Sequence, residues 1–376
     1  LIHPLTILTG PALPDVNLIL IILIFFKEVI FKKKIKYFKN IFFVIFIIWC
    51  LYNLIRSFFS EFVILSLESS LFYFRFGFFT LAIWYVCDSI PKIKTYLYYL
   101  LIYVFIIIFI DSLYQYFTGY NFIGLEYKNN RVTSFFGTEM ILGSYIVKLI
   151  PILLILSICE FNSRLKIYFS IFIIVLSFFV IALSGERVAL FNFYFMFFLY
   201  ILIINRKSVY LFFGSVLILS LFVIVLTPNL NERFIKHTFS ANQINLYGSE
   251  IRIFSNVHQQ IYISSINIFK DNVLFGSGTK TFREVCKKPK YFSRNSCSTH
   301  PHNIYIQLLA ETGIIGFMPV ILLYLFCSFH FVKKLYFYYT KKYLNNVFES
   351  DLIILVPIIV NLFPFMPTGN LFNNHF

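Results

Sequence analysis

The residues best suited to chemistry in this chain stand together in one stretch. It reads Cys297-Ser298-Thr299-His300-Pro301-His302-Asn303 and runs without a break into an amphiphilic segment carrying Gln307, Glu311, Thr312, Gly313 and Gly316. An imidazole titrates at about pH 6.5, so a His at the mouth of a helix takes a proton from a hydroxyl and passes it on near neutrality. His302 is accordingly the candidate general base, with His300 and Glu311 in support, and Asn303 able to cap the helix and orient His302 at once. The plainer reading is that two His beside a Pro cap the helix or sit at headgroup level. A metal site is disfavoured, because no nearby Cys or acidic residue completes a zinc-like set around His300 and His302. No metal is expected.

Arginines supply the second kind of chemistry. Arg187 lies in Ser184-Gly185-Glu186-Arg187, a turn between two apolar runs with little room to retreat into water, and ionisable groups at such depth are usually functional. The planar guanidinium fork matches phosphate oxygens, which predicts a clamp on a pyrophosphate; a snorkelling anchor or a partner for Glu186 is the competing role. Arg252 opens a mostly apolar segment, 253–269, that reads as a helix lying on a membrane, although a lone exposed Arg is commonly a solvated one. Arg131, ahead of Thr133, Ser134 and Gly137, adds positive charge to the same surface. Arg75 and Glu139 lie within or beside apolar segments, where each serves equally well in a structural ion pair. Gly276-Ser277-Gly278 lacks the following Lys-Ser/Thr and the preceding strand of a nucleotide loop, and is read as a tight turn. Cys286 and Cys297 flank a polar, basic stretch and form a candidate disulfide; Cys50, Cys87, Cys159 and Cys327 fall in or beside apolar runs and are read as packing residues.

These groups must be positioned by a membrane protein. With 59% hydrophobic and only 13% charged residues, no water-soluble core could absorb the apolar side chains. Crossing a hydrocarbon layer takes about 20 apolar residues per helix. Such runs predict an all-α integral membrane protein with about 10 transmembrane helices, at 16–31, 40–58, 71–90, 95–113, 139–159, 166–184, 188–205, 209–227, 303–332 and 351–368. The net charge of +15 comes largely from Lys and Arg in short connections, which reads as topology and not as nucleic-acid binding. Every second connection is basic: Lys32 to Lys39, Lys92 and Lys94, Arg164 and Lys166, Arg206 and Lys207, Lys333 to Lys342. The positive-inside rule places these in the cytoplasm and the 228–302 segment outside. The expected organisation is transmembrane helices 1–8 over 1–227, a large periplasmic loop containing short helices over 228–302, and helices 9–10 over 303–376. The same count runs the first helix from outside to inside, which predicts a further helix upstream, and the abrupt end permits one downstream.

Taken together, these stretches resemble the O-antigen ligase and O-antigen polymerase family of bacterial membrane glycosyltransferases. The likeness is most specific from Cys297 to Gly316, where the His-Pro-His-Asn start and the Glu-Thr-Gly-Ile-Ile-Gly end follow the family pattern in order and spacing. It continues at Ser184-Gly185-Glu186-Arg187, where the family usually has Ser-Gly-Ser-Arg-Gly, at Gly276-Ser277-Gly278, and at Phe363-Pro364-Phe365, covering roughly 130–370. The resemblance implies a multi-pass inner-membrane enzyme with its active site on the periplasmic side. Its donor would be a glycan on undecaprenyl pyrophosphate, and its acceptor a hydroxyl of another glycan, of lipid A core or of a protein. It further implies an inverting reaction with neither cofactor nor metal, His302 as the base, and Arg187 and Arg252 as the pyrophosphate-binding arginines. Glu186 and Val188 depart from the pattern, which implies a narrower site or a different glycan. Membrane lipid is the other expected partner, its prenyl chains lying in grooves between helices. A reading from another class is a transporter or flippase of a lipid-linked glycan, which calls for inverted repeats and broken midplane helices; no internal repeat is visible.

Overall fold

A computed structural model describes residues 2–127, 131–157, 164–203, 214–215, 217–218, 221–222, 224–236, 255–341 and 346–373. The protein is all-helical, with no strand among the described residues. The principal helices are α1 (Ala12–Phe31), α2 (Ile41–Phe58), α3 (Val63–Ser70), α4 (Arg75–Ser89), α5 (Ile93–Thr118), α6 (Leu142–Ile155), α7 (Arg164–Ser184), α8 (Arg187–Ile203), α9 (Asn256–Asp271), α10 (Ile304–Lys341) and α11 (Asn346–Asn361).

Among the described residues, four stretches are long and apolar enough to cross a membrane: Ile41–Phe58, Val63–Ser89, Ile93–Thr118 and Ile304–Thr340. Leu142–Ile155, Tyr168–Ser184, Arg187–Ile203 and Asp351–Asn361 are apolar but shorter. At about 1.5 Å per residue they fall short of a hydrocarbon layer of about 30 Å, so a count of ten spans depends on including them. About half of the 209–227 segment lies outside the described residues.

Three boundaries differ from the sequence reading. The acidic connection after α2 contains a helix of its own, α3. The last predicted helix stops at Asn361 instead of running to 368, because Pro364 and Pro367 deny the chain helical amides and push the residues before them out of the α region. The helix from 304 is broken at Gly313, whose φ of 65° and ψ of −169° are not helical.

The chain divides into two compact units. In the first (Leu1–Gly10, Lys92–Ser240, Phe326–Phe363), α7 packs on α5 and α6, and α8 packs on α11. Phe193 and Phe197 meet edge to face at 4.5 Å, and Phe363 lies 4.9 Å from Phe195, closing an aromatic seam. In the second (Pro11–Pro91, Ala241–Leu325, Pro364–Phe376), α1 packs on α4 through Phe25, Val29, Tyr37, Leu81, Ala82 and Tyr85. A separate core joins Ile261, Tyr262 and Ile268 of α9 to Phe282, Val285, Cys286 and Ala310. The apolar face of α9 is thus used inside the protein.

The break in α10 has a specific cause. Residues 273–278 run alongside it and take up its backbone groups: Ile314 N donates to the Val273 carbonyl at 2.9 Å, Ser277 N to Ala310 at 3.0 Å and Gly278 N to Glu311 at 2.8 Å. A Cβ at Gly313 would collide with the Leu274 carbonyl, and one at Gly276 with the backbone of Glu311 and Thr312. Gly276-Ser277-Gly278 is therefore a docking turn. Arg56 fixes its other side, donating to the carbonyls of Phe275 at 3.0 Å and Gly276 at 2.6 Å, while buried Ser57, Ser66, Ser69 and Thr279 form one hydroxyl network.

Candidate functional site

In the second unit the histidine loop is held by the end of the chain. Asn303 caps α10: its Oδ1 accepts from the amides of Tyr305 at 3.0 Å and Ile306 at 3.1 Å. Its Nδ2 reaches across to donate to the carbonyls of Pro364 at 2.7 Å and Met366 at 3.3 Å. Thr368 N donates to the His302 carbonyl at 2.9 Å, and the Thr368 carbonyl lies 3.3 Å from His300 Nε2. Residues 364–373 thus form a strap over the loop. His302 itself has φ of 58°, a left-handed conformation rarely adopted by residues other than Gly and Asn.

That conformation aims the His302 ring between two others. The His300 centroid lies 4.1 Å away and that of His258, on α9, 5.4 Å away. His258 is placed by Ser255, whose side chain caps α9 and lies 3.2 Å from His258 Nδ1. Burial, then the neighbouring His300 and His258, depress the His302 pKa from 6.5 to about 4. Burial also depresses His300. His302 is therefore a neutral imidazole at physiological pH, with one ring nitrogen able to accept a proton. Among the described residues no group of three or more His, Cys, Asp or Glu side chains is arranged as a metal site.

Glu311 is fully buried two residues before the break. Its carboxylate accepts from Phe282 N at 3.0 Å and from Gln307 Nε2 at 3.0 Å, and Gln307 also donates to Asn370 Oδ1 at 2.7 Å. It ties the 282 turn and the strap to α10. Cys286 and Cys297 are bridged, their Cα atoms 5.5 Å apart, which pins the chain just before the histidines to the core around α9.

The first unit holds the arginines. Gly185, with φ of 64°, turns the chain between α7 and α8. Arg131 Nε donates to the Ser184 carbonyl at 2.8 Å, and Arg233 Nε to the Gly185 carbonyl at 3.2 Å. Arg131 is positioned from α5, where buried Gln115 accepts from the amides of Thr133 and Ser134, and Val132 N donates to the Leu183 carbonyl at 3.1 Å. Arg187 begins α8 and is exposed. Burial depresses the pKa of Arg131, and the positive fields of Arg233 and Arg187 add to that, opposed by Glu186. Three guanidinium groups thus gather around one helix start, whose first-turn amides also favour an anion.

Glu186 faces elsewhere. Its carboxylate accepts from Gly143 N at 2.6 Å and from Ser144 N and Oγ at 3.1 and 2.6 Å. It caps α6. Burial raises its pKa while these bonds lower it, and the acidic replacement noted in the sequence is spent on joining the turn to a neighbouring helix.

His258 and Arg233 were not anticipated. Ser255 ahead of an amphipathic run was a cap signal for α9, and Arg233 follows an apolar run, yet neither spacing pointed at the residues they meet. Arg252 lies outside the described residues. Arg75 pairs with Asp15 at 3.5 Å, as its structural reading allows.

The family model described as O-antigen ligase matches residues 172–321. The match supports a likeness to the O-antigen ligase family over that segment. It takes in the 184–187 turn, Arg252, the 276–278 docking turn, the histidine loop and the break at Gly313; Arg131 and the strap lie beyond it. No curated protein matches the chain. The likeness to the O-antigen ligase family, with apolar helices of membrane-crossing length, supports a membrane protein and suggests glycan transfer of the ligase type.

Proposed function

We propose that this chain, similar over 172–321 to the O-antigen ligase family, transfers or polymerises a glycan carried on undecaprenyl pyrophosphate, joining it to an acceptor hydroxyl at the periplasmic face. The acceptor is another glycan, lipid A core or a protein hydroxyl. The observation carrying this reading is the neutral, strap-held His302 between His258 and His300. His302 takes the acceptor proton, the acceptor oxygen attacks the anomeric carbon from the face opposite the leaving group, and the bond to the pyrophosphate oxygen breaks. The new glycosidic bond has inverted configuration and the lipid pyrophosphate leaves. A pKa of about 4 makes a weak base in the resting protein; an anionic donor raises it as the reaction proceeds, since a nearby negative charge favours imidazolium.

Arg187 and, on the sequence resemblance alone, Arg252 are assigned to the pyrophosphate, with Arg131 and Arg233 adding charge around the start of α8. A preorganised donor at developing negative charge contributes roughly 3 kcal/mol to such a step. No cofactor is called for, because the energy resides in the donor's sugar-pyrophosphate bond.

The test is transfer in proteoliposomes holding an undecaprenyl-pyrophosphate glycan, candidate acceptors and chelator. Wild type should transfer, His302→Ala should bind donor without transferring, and Arg187→Lys should lose donor affinity. Equal activity of wild type and His302→Ala refutes the base. Movement of the lipid-linked glycan across the bilayer with no bond made would establish transport instead.

A further inference from the structure

Beside α4 in the second unit lies a polar cavity of about 220 Å³, lined by Glu68, Ser69, Tyr73, Arg75, Phe76, Lys280, Phe372 and Asn373. None of the transfer chemistry above uses it. We infer that it is a subsite for one uncharged sugar ring of the glycan; the inference rests on the glycan-transfer reading and deepens it.

Size comes first. Pockets for drug-sized ligands run to about 300–1,000 Å³, so this one suits a single small ring. The lining then decides which ring. Its two cations are each offset by a carboxylate, Lys280 by Glu68 at 2.8 Å and Arg75 by Asp15 at 3.5 Å. A site built for a phosphate or a carboxylate would leave net positive charge; here the pairs leave a dense set of donors and acceptors with little net field. An ammonium carries three donors, of which Glu68 takes one. Neighbouring hydroxyls on a ring match such a carboxylate-ammonium pair, accepting from Lys280 and donating to Glu68. Lys280 is held in place for this by a left-handed backbone, φ of 64°, beside Thr279, which is fixed in the buried hydroxyl network.

The lining is also aromatic. Tyr73 meets Phe76 at 5.3 Å and Phe372 at 5.8 Å, both edge to face. Aromatic rings beside polar groups suit a ligand that is apolar on its ring faces and polar at its rim, as a pyranose is.

Continuity with the histidine loop supports the assignment. Thr368 binds His300 and His302, and Phe372, four residues further along the same strap, lines the cavity. Four residues extend to at most about 14 Å, a length that a short oligosaccharide covers. Gln307 fixes the strap between them, donating to Asn370 at 2.7 Å and accepting from Leu371 N at 3.1 Å.

The chain carries a built-in reporter. It has two tryptophans, and Trp49 stacks on Phe372 at 6.1 Å with the rings 8° from parallel. In full-length Trp84→Phe protein in nanodiscs, Trp49 emission is followed while adding the glycan released by mild acid from the producing cell's lipid-linked pool, with equilibrium dialysis alongside. A saturable response is expected. Lys280→Met or Glu68→Gln should weaken it about tenfold, the loss of one charge-assisted hydrogen bond. Glu68 is largely exposed, so its variant is a safe one for folding. His302→Ala should bind this pyrophosphate-free glycan like wild type, which separates failure of the base assignment from failure of the subsite. No saturable binding, unchanged affinity in both cavity variants, or an equal response to inorganic phosphate overturns the inference.

Discussion

Asn303 does two jobs that substitution can separate. Its Oδ1 caps α10 and its Nδ2 holds the strap through Pro364 and Met366, all at a side chain only 5% exposed. Asn303→Ser keeps a capping oxygen and drops both donations; Asn303→Ala drops everything. Each lost donation costs about 0.5–1.5 kcal/mol, and a lost cap about 1 kcal/mol. Ser should therefore destabilise by about 1–3 kcal/mol and Ala by about 2–4 kcal/mol, read from unfolding in detergent micelles. Because Thr368 on the strap holds the His302 carbonyl and faces His300, both variants should also slow transfer with donor affinity little changed. Asn303 acts here as a positioning residue, so kcat falls and KM does not. Stability of Asn303→Ser equal to that of wild type, or equal to that of Asn303→Ala, would refute the division of labour between cap and strap.

The low pKa of His302 predicts a pH signature. A folded value of about 4 against 6.5 for the free side chain means that the unfolded chain binds more protons between those values, so stability rises with pH across that window and is lost as pH falls through it. Replacing His302 by Asn should flatten that slope in unfolding titrations, and the acid limb of kcat/KM should fall below the ordinary imidazole value. Gly313→Ala places a side chain at φ of 65° and ψ of −169° against the Leu274 carbonyl; strain in a backbone region open essentially to Gly alone plus overpacking predicts a loss of about 2–6 kcal/mol and a lower melting temperature. Reducing Cys286–Cys297, 11 residues apart in sequence, should cost about 3 kcal/mol on the loop-entropy account and loosen the histidine loop, measured as increased protease cleavage near 290.

The apolar runs made the helices legible, because each run must be buried in lipid or protein along its whole length. What stayed hidden depended on partners far off in the chain. Glu-Thr-Gly-Ile-Ile-Gly looks like uninterrupted helix until residues 273–278 are set against it, and Glu186 looks like a pocket residue until its carboxylate is found on Gly143 and Ser144. His302 and Arg187 stood out because their residue types are costly in such surroundings. His258 and Arg233 did not, since each gains meaning only from the imidazoles or the turn it meets. The strap was misread for a simpler reason: apolar content outweighed the two prolines that end α11.

These contacts change how the sequence pattern itself is to be understood. Gly276 and Gly313 are required by backbone packing at the break in α10, Gly278 by the Ser60 side chain against it, and Glu311 by a buried acceptor role. A substitution at any of them would remove activity by letting the 273–278 segment detach, with no reacting group touched. Loss of function at a motif position therefore distinguishes chemistry from architecture only when stability is measured beside it. The groups proposed to act on substrate are few: the half-buried imidazole of His302 with its two neighbours, and the guanidinium groups gathered at the start of α8. Both sets occupy the ends of helices, where a polar group reaches substrate without disturbing an apolar span.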